Sequence, residues 1–168
     1  SVLNRFAADD YAYLLESIEG GERWGRYSFI GHSPRTVYTV GGELPAPASG
    51  GQGPRMVRLG TFSELREHLS GIKPVPVEGL PRFFGGVVGT LNYETVNEFE
   101  RLPPPKSDMG AAPTCFMESD ELVIFDNVRH TAKVVACART DEWESVDAAY
   151  RDACERIEGI EARLESAG

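Results

Sequence analysis

A chain of 168 residues with 41% hydrophobic and 10% aromatic residues has enough apolar material for one ordinary globular domain with its own core. Its 26 acidic residues outnumber its 17 basic ones, and no cluster of Lys and Arg occurs. We therefore predict that the protein does not bind nucleic acid. No apolar run approaches the roughly 20 residues of a membrane helix and no signal-peptide pattern opens the sequence, so we expect a cytoplasmic protein without a membrane partner.

Cysteine and histidine usage gives no metal or redox motif. The odd number of cysteines and the lack of a C-x-x-C pair suit a reducing compartment, and we expect small buried thiols. The histidines are scattered, so we expect turn or surface residues rather than catalytic bases. The cysteines are Cys115, Cys137 and Cys154, and the histidines are His32, His68 and His130.

The first predicted element is a strand that is already under way at residues 1–3, because apolar residues begin there without a polar leader. Between Tyr13 and Pro34, two short apolar runs flank a Gly-rich polar turn at residues 20–24. This pattern predicts a β-hairpin with a long tip.

The predicted hairpin carries the first candidate site. Glu16 and Ser17 close its first strand and Arg26 opens its second. Strand pairing would bring a carboxylate, a hydroxyl and a guanidinium close together, and that grouping suits the ammonium and carboxylate of a free amino acid. The alternative is an ordinary surface ion pair, since exposed carboxylate–guanidinium pairs are common.

The next segment alternates strands with a loop and a helix. Thr61 and Glu64 match a capping box, and apolar residues at helical spacing follow them. The predicted elements are a half-buried strand at 35–40, a flexible Pro- and Gly-rich loop at 43–54, a short strand at 55–59 and a helix that ends at Gly71.

After an extended linker at 73–81, the Gly-rich apolar run at 83–91 lacks both the dinucleotide fingerprint and the P-loop pattern. We interpret it as a buried strand whose glycines allow close approach. Residues 93–101 have helical spacing, with Glu94 and Glu98 on one face. A metal or acid–base pair is conceivable there, but a solvated helix face is the usual fate of such charges.

The last third of the chain predicts a second hairpin and a closing helix. Strands are expected at 115–118, 122–126 and 133–138, with a polar turn at 126–131. From Asp141 apolar residues step by three and four, so we expect a long amphipathic helix that Asp141 and Glu144 cap, with an acidic outer face.

Four of these motifs, in their order and spacing, resemble the N-terminal region of anthranilate synthase component I. The resemblance covers most of the chain, and it favours this family over its paralogue, the large subunit of aminodeoxychorismate synthase, which is similar throughout and stays an alternative. The motifs are Leu14-Leu15-Glu16-Ser17; Gly25 to Gly31 with Ser33-Pro34; Phe84-Gly85-Gly86 with Val88-Gly89; and Tyr93, Val96, Phe99-Glu100 and Leu102-Pro103.

The resemblance implies an α+β fold, with largely antiparallel sheets packed face to face under outer helices. Residues 1–168 would form one regulatory domain of a larger two-domain protein, a lyase that converts chorismate to anthranilate in tryptophan biosynthesis. The C-terminal domain that binds chorismate and Mg²⁺ lies outside this sequence. We therefore expect a chain that is not catalytic alone and holds no cofactor.

The resemblance also implies an effector site for L-tryptophan at the Leu-Leu-Glu-Ser motif. Matched residue by residue, Leu15 lines the indole, Glu16 accepts from the ammonium group and Ser17 adds a hydroxyl. Arg26 stands where the family commonly has a basic side chain, and it would face the ligand carboxylate or pair with Glu16. The family usually has Gly-Tyr-Leu-Gly-Tyr-Asp where this chain has residues 89–94 (Gly-Thr-Leu-Asn-Tyr-Glu), so no ligand role is assigned there.

Three partners are implied by the resemblance: tryptophan as effector, the C-terminal chorismate-binding domain and a glutamine amidotransferase subunit. Two alternatives from other classes stay open, a stand-alone amino-acid sensor and a docking module for the amidotransferase.

Overall fold

The computed structural model describes residues 2–6, 9–19, 23–40, 53–101, 103 and 113–166. Contacts divide the chain into two compact units. The first comprises residues 1–34, 81–86 and 119–168, and the second comprises residues 35–80 and 87–118. Each unit contains one four-stranded sheet.

The strands follow one another in runs that the helices separate. The strands are β1 (Ala12–Glu19), β2 (Arg23–His32), β3 (Thr36–Val40), β4 (Arg55–Leu59), β5 (Gly86–Thr90), β6 (Thr114–Ser119), β7 (Glu121–Asp126) and β8 (Thr131–Ala136). The α-helices are α1 (Phe62–Ser70) and α2 (Val146–Glu165), and 3₁₀ helices span Val2–Phe6 and Tyr93–Glu98.

The sheet of the first unit has the order β1-β2-β7-β8, and all its neighbours are antiparallel. Helix α2 packs against it, and the core between them contains Phe6, Ile30, Val123 and Ile160. The long apolar stripe of α2 explains this placement, because only burial against a sheet face removes the stripe from water.

The sheet of the second unit has the order β4-β3-β6-β5. Strand β3 runs antiparallel to β6 and parallel to β4. All five residues of β3 are buried, so the prediction of a half-buried strand was wrong. A strand buried on both faces needs a partner for any polar group, and Glu118 in β6 accepts a 2.8 Å hydrogen bond from the Tyr38 hydroxyl.

Most predicted elements are confirmed, including both hairpins, but two further assignments were wrong. The start of the chain is a 3₁₀ helix, Val2–Phe6, rather than a strand. Strand β5 is partly exposed rather than buried, because it lies at the edge of its sheet. Close approach at its glycines is confirmed, since a Cβ on Gly89 would lie 2.0 Å from the Cys115 carbonyl oxygen.

Of the two predicted helix caps, one is confirmed and the other was wrong. Thr61 caps α1 as predicted, and its hydroxyl accepts from the Glu64 N–H. The cap of α2 is Ser145, whose hydroxyl accepts from the Ala148 N–H at 3.1 Å, rather than Asp141 or Glu144. A serine competes well for this position, because its short side chain reaches the free N–H groups of the first turn.

The structure confirms the predicted fold class, an α+β fold with mostly antiparallel strands. The predicted face-to-face packing of the sheets stays a prediction. The flexible loop predicted at 43–54 lies almost wholly outside the described residues. Within the described part of the chain, no helix is both long and apolar enough to cross a membrane.

Candidate functional site

The Leu-Leu-Glu-Ser motif lies on β1, which is an edge strand of its sheet. The register pairs Leu15 with Phe29 and Glu16 with Ser28. Because successive residues of a strand point to opposite faces, the side chains of Leu15 and Glu16 lie on opposite faces of β1. Leu14, Leu15 and Glu16 are all exposed. An edge strand keeps one row of backbone N–H and C=O groups unpaired, and such a row with exposed side chains can receive a ligand.

A bulge brings Arg26 opposite Ser17. Glu16 pairs with Ser28, but two residues later Ile18 pairs with Trp24. The single residue Ser17 on β1 therefore faces three residues of β2, and Arg26 is the middle one. Bulges redirect side chains and strengthen local twist. The backbones of the predicted site residues are thus neighbours, whereas the sequence analysis predicted a meeting of their side-chain groups, and the Ser17 side chain lies outside the described residues.

The Arg26 side chain turns to a partner that the sequence analysis did not consider. Its Nη2 donates to Asp126 Oδ2 at 2.9 Å, and its Nε lies 3.2 Å from the same oxygen. Hydrogen bonding to Asp126 raises the pKa of Arg26, and the same contact holds the pKa of the Asp126 carboxyl below its ordinary value. The sequence analysis left Arg26 two roles, a ligand carboxylate or Glu16, and the structure gives it Asp126 instead.

The turn after β7 holds this arrangement in place. Asp126 also accepts from the backbone N–H groups of Val128 and Arg129, at 3.2 and 3.1 Å. Asn127 donates its backbone N–H to the Arg26 carbonyl at 2.8 Å and its side-chain amide to the Gly25 carbonyl at 3.0 Å. Sequence reasoning placed residues 126–131 in a polar turn but offered no signal for its contact with the bulge.

Glu16 keeps an exposed carboxylate on the edge strand. No hydrogen bond or ion pair of its side chain occurs among the residues that the structure describes. An ionised, accessible carboxylate can accept hydrogen bonds from an ammonium group, and those charge-assisted bonds are the stronger kind. The site is therefore asymmetric, with a free anion at Glu16 and an already paired cation at Arg26.

Of the other charged candidate, the Glu94 and Glu98 pair, the structure describes only the Glu98 side chain. Glu98 accepts a 2.8 Å hydrogen bond from the Phe62 N–H, at the first residue of α1, and the Glu94 side chain lies outside the described residues. Glu98 therefore satisfies a free donor at a helix start. Within the described ranges, no three His, Cys, Asp or Glu side chains gather as a metal-binding group.

His32 differs from the prediction for the histidines. His68 and His130 are exposed as predicted, but His32 is only 3% exposed and its ring stacks on Phe6, with centroids 4.2 Å apart. Its Nδ1 lies 3.1 Å from Ser33 Oγ, and its Nε2 has no hydrogen-bond partner among the described residues. Burial, with a smaller effect of Arg163, lowers the pKa of His32 to about 4.

The cysteines form no disulfide within the described part of the chain and are only partly buried, so the prediction of buried thiols was too strong. Burial raises the pKa of Cys115. A raised pKa reduces the thiolate fraction at neutral pH and makes the thiol a poor nucleophile.

Comparison with known proteins supports the resemblance over nearly the whole chain. The chain is 34% identical to anthranilate synthase component 1 of Synechocystis over 164 residues, which is 95% of the chain and 32% of that protein. It is 30% identical to anthranilate synthase component 1 of Acetivibrio thermocellus over 165 residues, with 98% and 33% covered. The chain thus spans about a third of the length of the curated relatives it matches. No protein-family model matches it.

A solved structure has a similar fold. It is the crystal structure of anthranilate synthase component I from Streptococcus pneumoniae, which aligns with a TM-score of 0.55 and 18% identity, over 89% of this chain and 33% of that one. At this identity the structural alignment supports the fold alone, and the evidence for homology comes from the sequence relatives.

Proposed function

Because the chain is homologous to anthranilate synthase component 1 over nearly its whole length, we propose that it is the N-terminal regulatory third of such a protein. In this proposal it acts in tryptophan biosynthesis, and its β1 edge forms part of the feedback site for L-tryptophan. The homology is the single observation that carries the proposal. The proposed binding surface is the β1 edge, where Leu14, Leu15 and Glu16 are exposed.

The geometry of β1 supports a role in amino-acid binding. A ligand lying along the free edge can reach backbone donors and acceptors and, at the same time, side chains from both faces of the strand. Glu16 would accept from the ammonium group, and Leu15 would cover part of the indole, whose burial supplies much of the affinity of an aromatic ligand. Ser17, inside the bulge, would add a hydroxyl.

Arg26 has a secondary place in the proposed site. Asp126 neutralises its charge and takes Nε and one Nη2 hydrogen, which leaves three of its five N–H donors. These donors can still approach a carboxylate, but the neighbouring anion weakens the attraction. In the proposal, Arg26 mainly shapes the bulge that displays Ser17, and the tryptophan carboxylate is met elsewhere.

The chemistry of chorismate is assigned to the part of the relatives that this chain does not match. Mg²⁺ and chorismate would bind there, and the complete protein would receive ammonia from a glutamine amidotransferase subunit. The present chain would then be non-catalytic by itself. It would act by binding tryptophan better in one arrangement of the whole protein than in another.

A chimera tests the proposal. This chain replaces the matched third of the Synechocystis relative, and anthranilate formation with an ammonia donor is measured against tryptophan concentration. We expect inhibition in the wild-type chimera. Glu16→Gln should raise the inhibitory concentration at least tenfold, because one charge-assisted hydrogen bond to a charged group contributes about 1.5–3 kcal/mol. The uninhibited rate should stay unchanged.

The control is Glu158→Gln, which removes an exposed carboxylate on α2 instead of β1. It should leave the inhibition curve unchanged. An active chimera that tryptophan inhibits equally well with and without the Glu16 carboxylate would contradict the assigned site, and an active chimera that tryptophan never inhibits would contradict the regulatory role.

Calorimetry on the isolated chain separates this proposal from a stand-alone sensor. If the pocket is completed by the part of the relatives that this chain does not match, the isolated chain should bind tryptophan weakly or undetectably. Tight, stoichiometric binding to the 168-residue chain would favour the sensor.

A further inference from the structure

An apolar surface at the start of α2 is left exposed by the residues that the structure describes. Val146 is 67% exposed, Tyr150 is 65% exposed and Trp143, just before the helix, is 44% exposed. Helical spacing places Val146 and Tyr150 in the same stripe as Ile157, which is partly buried farther along the helix. Val146 and Tyr150 thus form an exposed apolar flank of α2 beside its core-facing residues Ala149 and Ala153, which are buried.

The same end of α2 carries a concentrated negative charge. Residues 141–155 contain six carboxylates and one arginine, a net charge of −5 out of −9 for the whole chain. Some of these carboxylates are occupied, since Asp152 pairs with Arg156 at 2.9 Å and Glu142 lies 3.8 Å from Arg139. Among the described residues, Glu144 and Glu155 have no ion pair.

A recess lies beside the exposed indole. It has a volume of about 400 Å³, and Ala148 and Trp143 contribute apolar surface. Four carboxylates line it together with one cation, Arg151; they belong to Glu142, Glu144, Asp152 and Glu155. An aromatic face with nearby carboxylates is a favourable environment for a guanidinium or ammonium group, because the ring attracts a cation and the carboxylates neutralise it.

We propose that the α2 docking surface, formed by Trp143, Val146, Tyr150 and the adjacent acidic recess, binds a partner protein that presents an arginine or lysine beside apolar side chains. The cationic side chain enters the recess against Trp143, and the apolar side chains cover Val146 and Tyr150. This inference rests on the surface itself and does not depend on the proposed function of β1.

Charge decides between this occupant and the others. Nucleic acid and anionic lipid carry the same sign as the surface and are repelled. A symmetric contact with a second copy would place two acidic surfaces face to face, because the same patch meets itself in such a dimer. A basic protein surface provides both the opposite charge and the apolar cover.

The test uses two fluorescein-labelled, 15-residue helical peptides and the 168-residue chain. One peptide has two arginines beside leucines at helical spacing, and the other has citrulline, which is neutral and nearly isosteric, in place of both arginines. Binding is followed by fluorescence anisotropy. We expect the arginine peptide to bind at least tenfold more tightly than the citrulline peptide.

Variants of the chain locate the binding. Trp143→Ala and Tyr150→Ser should each weaken the arginine peptide about tenfold, as anchors at the centre of an interface do. Glu161→Gln, an exposed carboxylate three turns farther along α2, is the matched control and should change the affinity less than twofold. Tyr150→Ser keeps the test valid if loss of Trp143 disturbs the helix start, since Tyr150 is mostly exposed.

Three results would overturn the proposal. The first is equal affinity for the arginine and citrulline peptides, including no binding of either. The second is equal weakening by Tyr150→Ser and Glu161→Gln, which would mean diffuse attraction to an acidic helix. The third is a dimer in sedimentation equilibrium that Tyr150→Ser dissociates, which would make a second copy the occupant.

Discussion

Replacement of His32 by Phe should remove a dependence of stability on pH that the buried imidazole creates. His32 lies at the end of β2, stacked on Phe6, with Asp9 and Arg163 as the nearest charged groups. Phenylalanine preserves the stacked ring and removes both the titration and the unpaired Nε2. All other ionisable groups are common to the two proteins.

The magnitude follows from the lowered pKa. The folded protein holds the His32 pKa at about 4, while the unfolded chain has the ordinary value of 6.5. Between these values the unfolded state binds the proton and the folded state does not, so acid favours unfolding and stability rises with pH. Linkage predicts a loss of about 2 kcal/mol from pH 7.5 to pH 5 in the wild-type protein, and most of the loss lies below pH 6.5.

Urea unfolding at half-unit steps from pH 7.5 to pH 5 measures this loss. The informative quantity is the wild-type free energy of unfolding minus that of His32→Phe, because carboxylates titrate in both proteins and cancel. We expect the difference to fall by about 2 kcal/mol toward pH 5. Replacement of the exposed His68 by Gln is the matched control and should leave the wild-type profile unchanged.

The reasoning is refuted if the difference changes by less than about 0.5 kcal/mol over this range, since that would place the folded pKa within a few tenths of the unfolded value. A difference that grows toward pH 5 would mean the opposite, a histidine that Asp9 stabilises in its charged form.

Four further substitutions address the fold. Gly89→Ala should destabilise the protein by about 1–3 kcal/mol in thermal or urea unfolding, since the added Cβ would overlap the backbone of β6. Gly159→Ala should stabilise α2 by about 0.5–1 kcal/mol, because nothing lies within 4 Å of the added Cβ. Equal effects of the two substitutions on stability would contradict this difference in packing. Ser145→Ala should cost about 1 kcal/mol by removing the α2 cap, and no loss would mean that another group caps the helix. Arg163→Met should speed amide exchange in Val2–Phe6 by removing the bonds of Arg163 to Asp9 at 2.9 Å and to the Arg5 carbonyl at 3.0 Å, and unchanged exchange there would show that apolar packing alone holds the turn.

Much of the local structure was predictable because its causes are local. The alternation in β4 and the capping box at Thr61 depend on neighbours within a few residues, and both predictions were confirmed. The burial of β3 was not predictable in this way. Whether the second face of a strand is covered depends on distant parts of the chain, and the polar side chains of β3 gave no sign of it.

Long-range pairing also explains the missed contacts of the site. Asp126 is 100 residues from Arg26 in sequence, and only the pairing of β2 with β7 brings them together. His32 was expected to be a turn or surface residue because the three histidines are scattered along the sequence. It is buried because Phe6, from the start of the chain, stacks on its ring, a contact that no motif reveals.

The bulge in β2 changes what the hairpin can recognise. If Arg26 paired with Glu16, the edge would be neutral and closed to a charged ligand. Because Arg26 pairs with Asp126 instead, the Glu16 carboxylate stays exposed beside Leu14 and Leu15, and the edge favours a ligand with an ammonium group and an apolar side chain. Arg26, the cation of this hairpin whose side chain the structure describes, is already paired when it meets the ligand carboxylate, and a zwitterion that is held firmly at one charged end alone binds weakly. Weak binding of tryptophan by the isolated chain therefore follows from the paired state of Arg26, independently of the length of the relatives.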